Sequence, residues 1–276
     1  MSEISAADVK KLRDQTGAGM MDCKKALSES NGDFEKAIEF LRMKGQKLSL
    51  KRAEREAKEG VVVALVTDDQ TKGVVIKLSC ETDFVAKNED FINLTKDIAK
   101  IALDNFPESK EDLLGKTIDG ITIGEKVIEQ VGKIGEKIEL ASYEKLEAPL
   151  VVSYIHMGYK AGVIVGLTKA DDSFVDAGKD VAMQVAAMKP VAVDKDGVDQ
   201  TVISKEIEIG KEQARQEGKP EAMLEKIALG KLNKFFKEQT LLNQAFVKDG
   251  SLTVDQYLKK LDADLTVTNF CHVALG

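Results

Sequence analysis

Few residues in this chain have side chains suited to covalent or metal chemistry. There are two histidines, His156 and His272, and three cysteines, Cys23, Cys80 and Cys271. No CxxC pair and no multi-His spacing occurs, so the ligand set of a zinc centre is missing. Three scattered thiols suit a reducing compartment. Cys23 and Cys80 fit best as small buried apolar residues. His156 lies at the end of a strand-like run beside Gly158, Tyr159 and Lys160. It fits a turn or surface position, and as a general base it has no sequence-local partner. His272 alternates with Phe270 on one face of the last apolar run and reads as structural. Gly17-Ala18-Gly19-Met20-Met21-Asp22 begins like a dinucleotide fingerprint, but it lacks the third glycine and follows a helix rather than a strand. No GxxxxGK[ST] occurs. The chain is therefore expected to carry no nucleotide, cofactor or metal of its own.

The most unusual segment is Glu81-Thr82-Asp83-Phe84-Val85-Ala86-Lys87, which sets acidic residues beside a large aromatic just before a helix. Three chemistries suit it. It could be a capping segment whose Phe84 packs down, since an exposed Phe is costly. It could be a wedge, with Phe84 entering a pocket on a partner and Asp83 delivering a charge. It could also be the carboxylate pair, Asp83 with Glu81, of a hydrolase.

The whole chain narrows these options. Its 276 residues carry 40 Lys+Arg against 47 Asp+Glu, a net charge of −7. An acidic balance disfavours broad binding to phosphate backbones. With 43% hydrophobic and 32% charged residues, the composition is that of an ordinary globular chain. The longest apolar runs, such as Val61–Val66 and Gly162–Leu167, are strand-sized, far below the ~18–20 residues of a membrane helix. Residues 1–20 lack the apolar stretch of a secretory signal, so a cytoplasmic location and no membrane association are expected. The charge is uneven: residues 1–58 carry 13 Lys+Arg and 10 Asp+Glu, so the remainder is the acidic part. Such asymmetry marks a separate N-terminal module. The basic run Arg42–Lys58 at its end reads as a solvated linker helix.

Three short helices account for that module. Ser5 with Asp8 makes a capping box, and Val9 and Leu12 give an apolar face. A second helix spans about Met21 to Ser30, with Cys23, Ala26 and Leu27 inward. Asn31-Gly32 ends it, Asp33 caps a third, and Phe34, Ala37, Ile38 and Leu41 repeat at helical spacing. From Gly60 the period changes to that of strands. Val61–Val66 and Val74–Leu78 flank a polar turn, a hairpin. A helix capped near Asn88 follows, with Phe91, Leu94, Ile98 and Ile101 on one face. The same order returns as a second hairpin, Val151–Met157 with Ala161–Leu167, and a second helix over Asp172–Met188.

The two copies align. Phe91 and Lys96–Ala99 match Phe174 and Lys179–Ala182, and Gly73–Ile76 matches Gly162–Val165. The first copy holds extra residues between its second strand and its helix, within Ser79–Glu89. Loops grown on a rigid scaffold are where binding tends to sit. Two helical stripes around Gly218-Lys219-Pro220 predict an antiparallel helical hairpin at about residues 190–236. Thr253 with Gln256 caps a short helix, and Leu265–Leu275 alternates as a last strand.

Several long motifs, in this order, resemble the bacterial elongation factor Ts family. They are Leu12-Arg13 leading to Thr16–Leu27, then Thr82–Ala86, Lys133–Glu136, His156 with Gly162-Val163, and Ala182–Pro190. The resemblance implies an α+β fold: a three-helix ubiquitin-associated-like bundle with a basic linker (residues 1–55), a core N-subdomain (56–140) and a core C-subdomain (141–276). The two core subdomains are similar α+β units with antiparallel hairpins, and the helical hairpin is inserted in the second.

It further implies a nucleotide-exchange factor for elongation factor Tu, not an enzyme in the bond-making sense. In the family, Thr82, Asp83, Phe84 and Val85 approach the partner's magnesium and nucleotide site. His156 and Gly158 meet a second domain of the partner, and Leu12, Met20 and Met21 rest on its nucleotide-binding domain. Direct nucleic-acid contact is not implied; a homodimer or a 2:2 complex with the partner is among the assemblies allowed. Family members often continue into a C-terminal helical module, whereas this sequence stops at Gly276, so more of the affinity is expected from the other surfaces. A ubiquitin-type or ribosome-associated adaptor built on the N-terminal bundle is the remaining alternative.

Overall fold

The computed structural model describes residues 4–276. Its first three helices are α1 (Ala6–Thr16), α2 (Met20–Glu29) and α3 (Phe34–Arg52). Ser5 and Asp8 close the expected capping box on α1. Asp33 caps α3, accepting from the Lys36 N–H. Val9, Leu12, Cys23, Ala26, Leu27 and Ala37 form the bundle core.

The basic run differs from its expected form. Its first part, Arg42–Arg52, is the continuation of α3 with one face packed, and Ala53–Lys58 lies beyond the helix end. Gly45 is buried, and a Cβ there would sit 3.0 Å from the Ile128 carbonyl oxygen and 3.7 Å from the Gly132 Cα. Two glycines thus let α3 and a later helix approach backbone to backbone. Charge counting along the sequence missed this because the close approach turns on two uncharged glycines, with the Ile128 side chain beside them.

Strands β1 (Glu59–Val66) and β2 (Lys72–Cys80) are the first hairpin. After β2 come α4 (Asp83–Ala86), α5 (Glu89–Asn105) and α6 (Lys110–Leu114), then β3 (Thr117–Ile118), β4 (Ile121–Thr122), α7 (Ile123–Ile134) and β5 (Glu139–Glu147). β1, β2 and β5 form one sheet in the order β1-β2-β5. Asn88 caps α5, whose Phe91, Leu94 and Ile98 are buried as the periodicity requires.

The second copy begins with β6 (Leu150–His156) and β7 (Ala161–Leu167), antiparallel with Val152 opposite Val165 and His156 opposite Ala161. A 3-10 turn at Asp172–Phe174 leads into α8 (Val175–Met188), so the second repeat helix starts later than the sequence suggested. Val181 and Val185 of α8 share a core with Val152, Val163 and Val165. The helical hairpin is α9 (Gln200–Gln216) and α10 (Glu221–Gln239). Its root is closed by backbone bonds from Val191 N–H to Gln239 and from Leu241 N–H to Ala192. β8 (Ala245–Phe246), β9 (Asp249–Thr253), α11 (Val254–Leu261) and β10 (Val267–Ala274) complete the chain. β10 joins the second sheet in the order β10-β7-β6.

The fold is α+β, with small sheets and an N-terminal helical region. The chain separates into two compact units. One holds the chain up to Val63 with Ile76–Tyr143 and Ala274–Gly276. The other holds Ala64–Val75 and Glu144–Val273.

Candidate functional site

The extra residues of the first copy form a tight turn in the first unit. Thr82 is the N-cap of α4, a helix of one turn with no buried residue. Phe84 lies on it and is 83% exposed. The packed-down reading of Phe84 is therefore wrong for this structure. Leaving such a ring in water forgoes roughly 1.5–3 kcal/mol of burial, so other contacts hold the turn.

Those contacts come from two carboxylates. Glu136 Oε2 accepts the backbone N–H groups of Glu81 and Thr82, each at 3.1 Å, and its Oε1 accepts the Thr82 hydroxyl at 2.7 Å. Glu81 in return accepts the Lys137 N–H at 2.6 Å, and the Arg52 and Arg55 guanidiniums at 3.1 Å each. Burial works to raise the Glu81 pKa. The Lys137 N–H and the two arginines outweigh it and leave the carboxyl below its ordinary range. Beneath lies Cys80, fully buried, its thiol donating to the Thr82 carbonyl at 3.2 Å. Burial, with Glu136 and Glu59 nearby, pushes that thiol up to about 12, so it is inert at neutral pH.

Asp83 is bound to Lys87 at 2.6 Å, one turn on. This bond holds its carboxyl below the usual range and raises the lysine. Both acids of the hydrolase reading are thus stabilised as anions and spoken for by cations. Neither is kept protonated at neutral pH, as a general acid would need to be.

Elsewhere in the first unit, Met20 is 47% and Met21 77% exposed at the start of α2. Leu12 differs from the expectation of a contact residue. It is fully buried in the bundle core, because it is the inward position of α1's apolar face. Val85 is half-buried beside Phe84.

In the second unit, His156 ends β6, with its Nδ1 2.9 Å from the Tyr154 hydroxyl. The turn that follows has Met157, Gly158 and Tyr159 all at positive φ (50°, 62° and 71°). Such geometry is costly for Met and Tyr, and it leaves Met157 and Gly158 exposed. His272 is half-buried, and burial, with Lys189 nearby, lowers its pKa. Among the described residues, no group of three or more His, Cys, Asp or Glu is placed to hold a metal ion. No described helix is long and apolar enough to cross a membrane.

Glu136, Arg52, Arg55, Lys87 and Tyr154 were not assigned roles from sequence. The motif Lys133–Glu136 flagged Glu136 without a role, and nothing in the spacing of Arg52 and Arg55 points to Glu81.

Fold and turn together define a class: an α+β protein that displays a fixed acidic–aromatic turn to solvent. The family model described as "Elongation factor TS" matches residues 81–276. Elongation factor Ts of Christiangramia forsetii is 55% identical over 276 residues, spanning 100% of both chains. That of Amoebophilus asiaticus is 56% identical over 274 residues, 99% of each. That of Porphyromonas gingivalis is 47% identical over 274 residues, 99% of this chain and 98% of the relative. The chain belongs to the elongation factor Ts family, and so to the translation elongation factors.

Proposed function

We propose that this protein is a cytoplasmic nucleotide-exchange factor for elongation factor Tu. It binds the GDP form, promotes GDP release, and leaves as GTP binds. The observation that carries this reading is the exposed Phe84 on a turn held from both sides. A side chain that gains nothing where it stands is available to gain from a partner's pocket.

The mechanism needs no covalent step by this chain. Magnesium demands near-octahedral ligands at about 2.0–2.1 Å, so a small shift of the partner's elements weakens metal and nucleotide together. Phe84 supplies the shift and Asp83 the disturbing charge, with Thr82 and Val85 shaping the turn. The factor prefers the nucleotide-free partner, and by linkage nucleotide weakens the factor by the same ratio. Abundant GTP then expels it. Met20 and Met21 provide a second contact, on the partner's nucleotide-binding domain, while Leu12 belongs to the core of the bundle that carries them. The strained turn at His156 and Gly158 provides a third, on another partner domain. Residues 1–55, 56–140 and 141–276 divide these tasks. No nucleic acid and no membrane is required.

The test is stopped-flow release of a fluorescent GDP analogue from elongation factor Tu. Phe84→Ala is expected to slow stimulated release on the order of 30-fold, as loss of an aromatic anchor worth about 2 kcal/mol would, with Asp83→Ala smaller. Wild-type release by folded Phe84→Ala would falsify the assignment.

A further inference from the structure

The turn carrying Phe84 has little of its own to fix it. α4 is four residues long and buries none of them. A single helical turn is a costly nucleus, and the Thr82 Oγ1 cap accepts from the Val85 N–H only at 3.5 Å. Position must therefore be imposed from outside, and Glu136 is where it arrives. One carboxylate takes three donors from two consecutive residues, Glu81 and Thr82. That fixes both the direction of the backbone and the rotamer of the cap. Glu136 follows Gly135, the left-handed cap of α7 (φ 84°), so its carboxylate is aimed by the end of a helix. That helix in turn meets α3 through Gly132 and Gly45. The second carboxylate runs the other way: Glu81 takes the N–H of Lys137, next to Glu136, and reaches Arg52 and Arg55 at the end of α3. Each segment thus holds the other's backbone.

We propose that Glu136 is a positioning residue for the Asp83–Phe84 turn, and that Glu81 ties the turn to the end of α3. Glu136 touches neither Asp83 nor Phe84 through any of these bonds; it acts by setting where Thr82 starts the helical turn. The inference rests on the reading of Phe84 as the inserted side chain.

The experiment combines Glu136→Ala, Glu136→Gln and Phe84→Ala, with GDP release from elongation factor Tu and amide exchange as readouts. A misplacement of about 1 Å can cost up to ~100-fold. Glu136→Ala is expected to lower the maximal stimulated rate on the order of 10-fold. Glu136→Gln falls between, because its amide oxygen still accepts from Thr82 but cannot serve all three donors. In the Phe84→Ala background, Glu136→Ala should cost far less than in the wild type, since only Asp83 is left to position. Faster exchange should be confined to the amides of Glu81, Thr82 and Val85, with α5 and α7 protected as before. A wild-type rate for Glu136→Ala, or an equal loss in both backgrounds, overturns the proposal. Should Phe84→Ala itself exchange nucleotide normally, the functional reading fails. The amide exchange then still reports whether Glu136 holds the turn.

Discussion

The two hairpin–helix copies leave their second strands differently. After β7, Thr168 bonds into the last strand's approach, donating to Asp264 and accepting from Thr266. Asp171 then caps a 3-10 turn that feeds α8. After β2, the chain detours through α4 before Asn88 starts α5. The aromatic that the copies share stays inward in both: Phe91 is 3% exposed, and Phe174 packs on the core of its own unit. Phe84 is the additional one, and it faces out. A repeat can therefore keep its packing residues and place a new side chain in solvent, provided the insertion is anchored. Here the anchors are charged and come from segments outside the repeat.

The sharpest way to break this comparison is to truncate both rings of the first copy. Phe91→Ala should destabilise by about 3–5 kcal/mol, the range for a buried aromatic, whereas Phe84→Ala should stay within ~0.5 kcal/mol. Urea unfolding of each variant measures it, and comparable losses would mean that Phe84 is a packing residue after all.

A smaller effect concerns the anchors. The folded Glu81 carboxyl lies below its unfolded value of about 4.3. The unfolded chain therefore binds more protons in that range, and the contribution is present above the unfolded value. It is lost as pH falls through the folded one. Glu81→Gln should flatten the decline of the urea midpoint below about pH 4.5, relative to the wild type. An unchanged slope would show that the arginines do not hold this carboxylate.

The smallest effect belongs to Asp83. In Lys87→Gln its titration, followed by carboxyl NMR, should move up toward the ordinary range, because the lysine that lowers it is gone. Thermal stability should be unchanged, as exposed pairs contribute little.

Much of this architecture was legible beforehand, for identifiable reasons. Helices α1, α3, α5 and α11 announce themselves through Ser5, Asp33, Asn88 and Thr253, because capping is a local bond between near neighbours. The second hairpin follows from β-branched runs around a turn with glycine. The insertion was visible as a mismatch between two repeats. What holds it was not, since Arg52, Arg55, Glu81 and Glu136 are linked only by the fold. The exposure of Phe84 and the burial of Leu12 were likewise undecided by type alone; both are large and apolar, and only tertiary placement separates them.

The backbone contact of Gly45 with Gly132 has a further consequence, for avidity. α3 is 19 residues long, about 28 Å at 1.5 Å per residue; its first turns pack in the bundle, and an unpacked remainder would make the bundle a ligand on a string. Pinned to α7, the helix gives the two methionines of α2 and the turn at Phe84 a common frame. On the proposed function, a partner engaged on one would meet the other at an effective concentration set by the folded unit, with little loop entropy left to remove.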